Sequence, residues 1–249
     1  MKYTPLVSVI IAVFNGEDYL ARALESVRNQ SYSNVELIVI DGESTDGTVD
    51  IIKQNVSYLN YWVSEKDKGI YDAWNKGLAK CNGDWISFLG ADDYYELDCL
   101  SNYVSYIDQQ LIQPHFVSSQ VRLVDKTGAQ IRIIGQPWVW GKFRKYMNAT
   151  HVGSFHSREF FNEYGVFDDT FKIVGDYELL LRAGDKLKAG YLDLITVNMQ
   201  TGGTSTNSNA LKEAMRAKIV NRSRSRFKAK LDYFDANLRA ILRRILRRP

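Results

Sequence analysis

Three short apolar runs constrain this chain more than any other feature: Leu6 to Phe14 (LVSVIIAVF), Val35 to Ile40 (VELIVI) and Trp85 to Gly90 (WISFLG). Each is almost continuously β-branched or large and apolar, as a strand buried on both faces of a parallel sheet must be. Each also stops abruptly in polar residues, at Asn15-Gly16, Asp41-Gly42 and, past Ala91, Asp92-Asp93. Between the first two, Glu17 to Asn29 places Tyr19, Leu20, Ala23, Leu24 and Val27 at helical spacing. Ser44-Thr45-Asp46-Gly47 then supplies turn and N-cap chemistry for a helix from Thr48 to Asn55. Strand and helix alternating in this way predict βαβ units with right-handed crossovers, hence an α/β fold on a mostly parallel, Rossmann-like sheet flanked by helices. Such a sheet gathers the C-terminal ends of its strands on one edge. Asn15, Glu17, Asp41, Asp92 and Asp93 should therefore converge despite their separation in sequence.

Beyond this frame, Tyr61 to Ser64 reads as a short strand, Glu65 to Gly69 as a polar loop and Ile70 to Lys80 as a helix. The pattern changes after Tyr94. Leu97 to Gln110 is helical, and Phe116 to Leu123 and Ile131 to Ile134 are strands around a turn at Asp125 to Gly128. Met147 to Phe161 reads as irregular and partly extended, Leu179 to Ala183 as helical, Leu192 to Val197 as a strand, and Thr201 to Asn209 as a small-polar linker. Three regions result: a first half over 1–115, a second half of the same domain over 116–207, and a C-terminal helical extension over 208–249.

The chain has 249 residues and 45% hydrophobic content, enough to bury a sizeable core. No apolar stretch is long enough to span a bilayer, and the N-terminus lacks a basic segment followed by an apolar one. Cys81 and Cys99 have neither metal-ligand nor redox spacing. The expectation is a cytoplasmic protein. Its net charge of +3 hides an asymmetry: from Leu211 onward there are 13 Lys and Arg against three acids, leaving 19 against 26 in the first 210 residues. An acidic body with a basic tail does not fit a nucleic-acid binder; it fits an enzyme carrying a local basic device.

Two adjacent acids at the end of a buried strand suit a hard divalent cation beside phosphates. The chain has no Gly-rich phosphate cradle of either common pattern, so a cation is a physically reasonable substitute. Mn²⁺ and Mg²⁺ both accept an oxygen-only, water-rich ligand set. The plainer reading, a cap and a solvated turn, stays open at this point.

The runs Val7 to Asn15, Val39 to Thr48 (VIDGESTDGT) and Phe88 to Asp93 (FLGADD) resemble the three N-terminal signatures of family 2 glycosyltransferases. Lys68 to Gly77 (KGIYDAWNKG) is similar to a fourth block found in members that build bacterial surface polysaccharides. The resemblance implies a GT-A fold and inverting transfer from a nucleotide-diphosphate sugar, UDP-linked by expectation, with Mn²⁺ or Mg²⁺ as cofactor. On the matching positions, Ala12, Val13, Phe14 and Asn15 would line the nucleotide and Asp41 would contact base or ribose. Asp92 would lie by ribose and sugar, and Asp93 would ligate the metal. Glu17, Lys68, Gly69 and Asn75 fall on the same donor side, Lys68 as a possible neutraliser of phosphate charge. The family often carries two acids where this chain has Asp41-Gly42, and often an Asp at Gly90 or Ala91. Inversion needs a general base near the acceptor. Asp176, in Val174-Gly175-Asp176-Tyr177-Glu178, matches the family's acidic motif, with Glu178 as the alternative. His151 falls where relatives often hold a donor- or acceptor-side histidine, and Trp138, like Trp140, offers an aromatic face for a sugar ring.

Leu231, Phe234, Leu238, Ile241, Leu242, Ile245 and Leu246 follow helical spacing, with Arg239, Arg243, Arg244, Arg247 and Arg248 around them. That is the profile of an amphipathic helix on an anionic membrane surface, over residues 231–249, placing the enzyme peripherally at the inner face of the cell membrane. The acceptor would then be a saccharide or lipid-linked saccharide; a homo-oligomer interface is a further use of such a helix. Two rival functions stand beside this one. A sugar-nucleotide nucleotidyltransferase would need a Gly- and basic-rich loop after the first strand, which Asn15-Gly16-Glu17-Asp18 does not supply; a non-catalytic binding protein would not need acids at every motif position.

Overall fold

The computed structural model describes residues 4–202 and 208–246. The first half alternates strand and helix: β1 (Val7–Val13), α1 (Leu20–Arg28), β2 (Val35–Asp41), α2 (Thr48–Gln54), β3 (Tyr61–Ser64), α3 (Ile70–Leu78) and β4 (Trp85–Gly90). These four strands are parallel, in the spatial order β3-β2-β1-β4. Side chains alternate across the sheet as the pleat requires. Val7, Val9, Ile11 and Val13 join a core under α1 that includes Leu20, Leu24 and Val27, whereas Ile10, Ile38 and Phe88 face a second core with Tyr71 and Trp74 of α3.

The second half adds β5 (Tyr94–Tyr95), α4 (Cys99–Asp108), β6 (Phe116–Val124), β7 (Gln130–Ile134), α5 (Trp140–Phe143), β8 (Phe155–Ser157), α6 (Arg158–Tyr164), α7 (Gly175–Ala183) and β9 (Ala189–Gln200). The sheet continues β4-β8-β6-β9-β5, with β7 on β6, so one mixed sheet runs through both halves. Two differences from the sequence reading matter. The segment expected to be irregular contains β8, inserted antiparallel between β4 and β6, and then α6. Three residues are too few to display a period-2 pattern, so only pairing partners define β8. The strand expected over Leu192 to Val197 is a 12-residue β9, whose pairing with β6 shifts register between Ser119 and Val121. That irregularity leaves Leu194 exposed and hides the strand's true length.

Helix α1 starts at Leu20 rather than Glu17, because Gly16 to Asp18 form a turn whose polar groups bond to the loop after β2. The last helices are α8 (Ser208–Val220) and α9 (Arg226–Leu246). Lys218 is buried and pairs with Asp232 at 3.4 Å, and Arg224 grips the same carboxylate at 2.7 and 2.9 Å, which locks α9 onto α8.

At the opposite edge from the acids, Glu36 is buried and ties β1, β2 and the turn before β4 together. It accepts from Ser8 Oγ, from the backbone N–H and side-chain amide of Asn82, and from Gly83 N–H at 2.9 Å. Burial pushes its carboxyl up, but those hydrogen bonds prevail and hold it below the ordinary glutamate value. A carboxylate lowered in the folded state stabilises above its unfolded pKa and loses that contribution as the pH falls. Glu36→Ala strands buried donors, each worth about 1–3 kcal/mol. The expected result is a loss of about 2–4 kcal/mol in urea unfolding at pH 7, shrinking toward pH 3 as wild type loses its own share.

Candidate active site

Strand register assembles the site. Val13 of β1 lies opposite Asp41 of β2, Asp41 opposite Ser64 of β3, and Ala12 opposite Gly90 of β4. The chain leaving all four strands therefore emerges at one level of one edge. Between these ends lies a cleft of about 370 Å³ lined by Phe14, Gly42, Glu43, Thr45, Lys66 and Asp67. Phe14 is 64% exposed there, which is unusual for a residue ending a buried strand and offers an aromatic face to a flat ligand.

The floor of the cleft is a hydrogen-bonded lattice between the loops after β1 and β2. Asn15 adopts a left-handed φ of 50°; its N–H donates to Ser44 Oγ at 2.8 Å and its Oδ1 accepts from Thr45 N–H at 2.9 Å. Gly16 N–H donates to Thr48 Oγ1, Glu17 N–H to Asp46, and Gly47 N–H to the Glu17 carboxylate at 2.7 Å. Asp41 is fully buried beneath, accepting from Ser44 N–H, Ser44 Oγ and Ser64 Oγ. Its carboxylate is thus committed to the loop. Groups that line the cleft directly include Glu43 and Asp67, which sequence reasoning passed over. A Cβ on Gly42 would lie 2.6 Å from Asp67 Oδ2, so the glycine is what lets that carboxylate sit beside the β2 loop.

Asp92 and Asp93 occupy the turn after β4. A Cβ on Gly90 would lie 3.0 Å from Asp92 Oδ1 and 2.5 Å from Asp93 Oδ2, so both carboxylates close over the bare Cα of this glycine. Asp93 is buried and accepts from Gln200 N–H, at the end of β9, at 2.9 Å. Arg22 donates to Asp92 O and to Gln200 Oε1, both at 3.2 Å, and stacks over Tyr94. Burial, with Asp92 adding to it, pushes Asp93 up to about 8; burial also raises Asp92, against the pull of Arg22. Among the described residues no cluster of three or more His, Cys, Asp or Glu is placed to hold a metal. A paired set of carboxylate oxygens with the remaining positions left to water and phosphate nevertheless fits Mg²⁺ or Mn²⁺. A buried carboxyl that favours its proton is also the group a cation would relieve.

On the other side of β4, His151 stacks on Phe88 and Trp74, with centroids at 5.5 and 5.1 Å. Neither of its ring nitrogens has a hydrogen-bond partner in the protein, although the side chain is buried. Burial holds His151 below the ordinary histidine value, an effect partly offset by the Asp176 carboxylate. Asp176 sits in the first turn of α7, where Tyr71 Oη lies 3.1 Å from its Oδ1 and 2.8 Å from Ile173 O. The contact needs Gly175, because a Cβ there would fall 2.8 Å from the Tyr71 ring. Tyr71 and Trp74 lie on α3, and their contacts with Asp176 and His151 give them a place in the site.

The other expected residues make contacts within the protein. Glu178 is buried, holds Arg182 with both oxygens and accepts from Asn221 at 3.0 Å. Asn75 brackets the backbone of Phe167 at 2.8 and 3.0 Å, fixing the approach to α7. Lys68 pairs with Asp169 at 3.1 Å, and Gly69 takes a φ of 123° ahead of α3. Trp138 packs on Phe143 and Trp140, at 4.1 and 6.2 Å.

The fold is found in known enzymes. The chain superposes on Staphylococcus aureus TarS, solved in complex with UDP-GlcNAc, with a TM-score of 0.71 over 87% of its length at 18% identity. It covers 66% of that TarS chain. A mannosyltransferase from Pyrobaculum calidifontis, solved with GDP-Man and Mn²⁺, gives 0.64 over 95% of this chain and 65% of its own, at 17% identity. This is the GT-A fold of nucleotide-diphospho-sugar transferases. In sequence, a PGL/p-HBAD biosynthesis glycosyltransferase of Mycobacterium bovis is 26% identical over 224 residues, covering 85% of this chain and 83% of the relative. The chondroitin synthase of Escherichia coli is 26% identical over 91% of this chain, which spans 34% of that protein. Residues 8–171 match the glycosyl transferase family 2 model, and the chain belongs to that family as a glycosyltransferase. Asp176 lies just outside the matched span.

A carboxyl raised in the folded state costs stability as pH rises, because the folded protein keeps a proton the unfolded chain has released. The window for Asp93 runs from about 4 to about 8. In EDTA, Asp93→Asn should therefore melt higher than wild type at pH 8, with the difference closing toward pH 5. Thermal melts at the two pH values check this.

Proposed function

We propose that the protein is an inverting, divalent-cation-dependent glycosyltransferase that moves a sugar from a nucleotide-diphosphate donor, UDP-linked by preference, to a saccharide or lipid-linked saccharide. The observation that carries the reading is the placement of two acid groups on either side of β4: Asp92 and Asp93 beyond its end, and Asp176 with Tyr71 and His151 beside its Phe88. In this reading residues 1–115 hold the donor, 116–207 the acceptor, and 208–249 serve attachment.

The nucleobase enters the cleft over Phe14, with Asp67 and Glu43 at its edge and Asn15, Asp41 and Glu17 keeping the floor rigid. Ala12 and Val13 form the strand end beneath it. Asp93 would hold the cation, with Asp92 alongside on the donor, and the cation would neutralise the charge that develops on the leaving diphosphate. The acceptor hydroxyl meets the carboxylate of Asp176. The Tyr71 hydroxyl, which shares its one proton between Ile173 O and Asp176 Oδ1, sits against one carboxylate oxygen and leaves the other to take the acceptor's hydroxyl proton as the acceptor oxygen bonds to the anomeric carbon. The bond to the nucleoside diphosphate breaks on the opposite face, with the electron pair leaving on the phosphate oxygen. His151, neutral and unpartnered, supplies a buried hydrogen-bonding group to a sugar hydroxyl. Glu178 is engaged with Arg182, so the base role goes to Asp176.

Release of UDP or GDP from a panel of sugar nucleotides, with and without Mn²⁺, tests the reaction. Asp176→Asn should lower turnover by about 10²-fold or more with UDP affinity unchanged; retained turnover would move the base elsewhere. Asp93→Ala should abolish the response to Mn²⁺, and full metal-stimulated activity in that variant would remove the cation from this site.

The extension supports attachment to an anionic lipid surface at the cytoplasmic face of the membrane. On α9, Phe227, Leu231, Phe234, Leu238 and Ile241 are all exposed along one helical stripe, flanked by the exposed cations Lys228, Lys230 and Arg239. The side chains from Arg243 onward lie outside the described residues. No described helix is long and apolar enough to cross a membrane, so contact would be interfacial. Sedimentation with phosphatidylglycerol vesicles should recover the wild-type protein, and Phe234→Glu with Leu238→Glu should leave it in the supernatant. Equal sedimentation of both would reassign α9 to a protein contact, including a homo-oligomer.

A further inference from the structure

Helix α7 carries Asp176 in its first turn, yet no side-chain cap closes its N-terminus; the preceding residue is Val174. The segment leading into it is held from α8 instead. Both Glu213 carboxylate oxygens lie 3.1 Å from Lys172 N–H, and Oε2 also accepts from Ile173 N–H at 2.8 Å and Val174 N–H at 3.2 Å. Three successive amides aimed at one carboxylate form a backbone anion site, here filled by the protein's own side chain. The carbonyl of Ile173, in the same segment, accepts from Tyr71 Oη, the hydroxyl that also reaches Asp176. One turn further along α8, Arg216 donates to Thr170 Oγ1 at 2.7 Å and lies 4.3 Å over the Phe171 ring. Residues 170–174 are thus gripped at several points by a helix that the sequence places in the C-terminal extension.

We propose that Glu213 is a positioning residue for the transfer reaction: its carboxylate fixes residues 172–174 so that Tyr71 and Asp176 meet in the geometry the proton transfer needs. This inference rests on the reading of Asp176 as the general base. Glu213 is remote in sequence from the donor cleft, and among the described residues its hydrogen bonds run to the backbone of 172–174, the approach to α7. Its effect should fall on the chemical step and leave donor binding alone. Misplacement of a reacting group by about 1 Å can cost about 10²-fold in rate, which sets the scale of the loss.

The test measures nucleoside diphosphate release from UDP-N-acetylglucosamine or GDP-mannose, whichever the panel selects, together with UDP binding by calorimetry in Mn²⁺. Glu213→Ala should lower kcat by about 10- to 100-fold while UDP affinity stays within about twofold. Glu213→Gln keeps one acceptor oxygen and should recover part of the rate. In an Asp176→Asn background, Glu213→Ala should add little further loss, because both changes act through one group. Unchanged kcat with only a lower melting temperature would overturn the proposal, as would UDP affinity falling in step with kcat. So would a full additional loss on top of Asp176→Asn. If Asp176→Asn alone kept wild-type turnover, the base assignment would fail; Glu213 would then be refuted as acting through it, whatever its own effect. If Glu213→Ala does not fold, Glu213→Gln carries the same comparison.

Discussion

The parallel register of β1, β2, β3 and β4 is the constraint on which everything else depends. Because Val13, Asp41 and Ser64 sit in line, and Gly90 pairs one residue earlier in β1, the loops that follow begin at nearly the same height. A slip of one residue in any strand would turn Asp41 or the Gly90 backbone to the wrong face. Buried β-branched side chains on both sides of the sheet make that slip costly. The cleft at the strand ends is therefore a consequence of core packing, and its loops need only knit together locally. They do so through short polar side chains, Asn15, Ser44, Asp46 and Thr48, which satisfy one another's backbone groups.

The two halves meet at the acids. Asp93 belongs to the first half, yet its carboxylate is held by an amide at the end of β9, and Arg22 of α1 reaches both Asp92 and Gln200. The antiparallel insertion of β8 beside β4 then brings His151 against Phe88 on the opposite side. A single strand, β4, thereby borders both the charged turn and the aromatic wall. Low polarity does opposite things on its two sides. It raises Asp93 toward its protonated form and holds His151 below the ordinary histidine value.

Much of the first half was legible in the sequence because its signals are local and repeated. Apolar runs of six to nine residues, ended by Asn-Gly, Asp-Gly and Asp-Asp, specify strands and the edge where their loops gather. The second half was less legible for physical reasons. Strand β8 is too short to show a period, β9 hides its length behind a register shift, and α6 follows β8 without a break. Contacts made inside the protein were not legible either: the structure buries Asp41 under Ser44 and Ser64, and Asn75 ties down the backbone of Phe167. Both are polar residues near a site, and sequence alone does not distinguish touching a ligand from building the wall around it.

By itself, then, the sequence determined the α/β frame, the family and the strand-end acids, because these follow from hydrophobic pattern and from contiguous motifs. Only the tertiary structure decided which acid stands free and which is engaged. Glu178 and Asp176 are two residues apart on one helix, and the difference between them is made by Arg182 and Asn221 on one side and Tyr71 on the other. The same holds for Glu213, an unremarked acid in a basic extension until α8 packs against the approach to α7. Hydrogen-bond partners far apart in sequence leave no periodic trace in the chain, and the chemistry of the site is made of such partners.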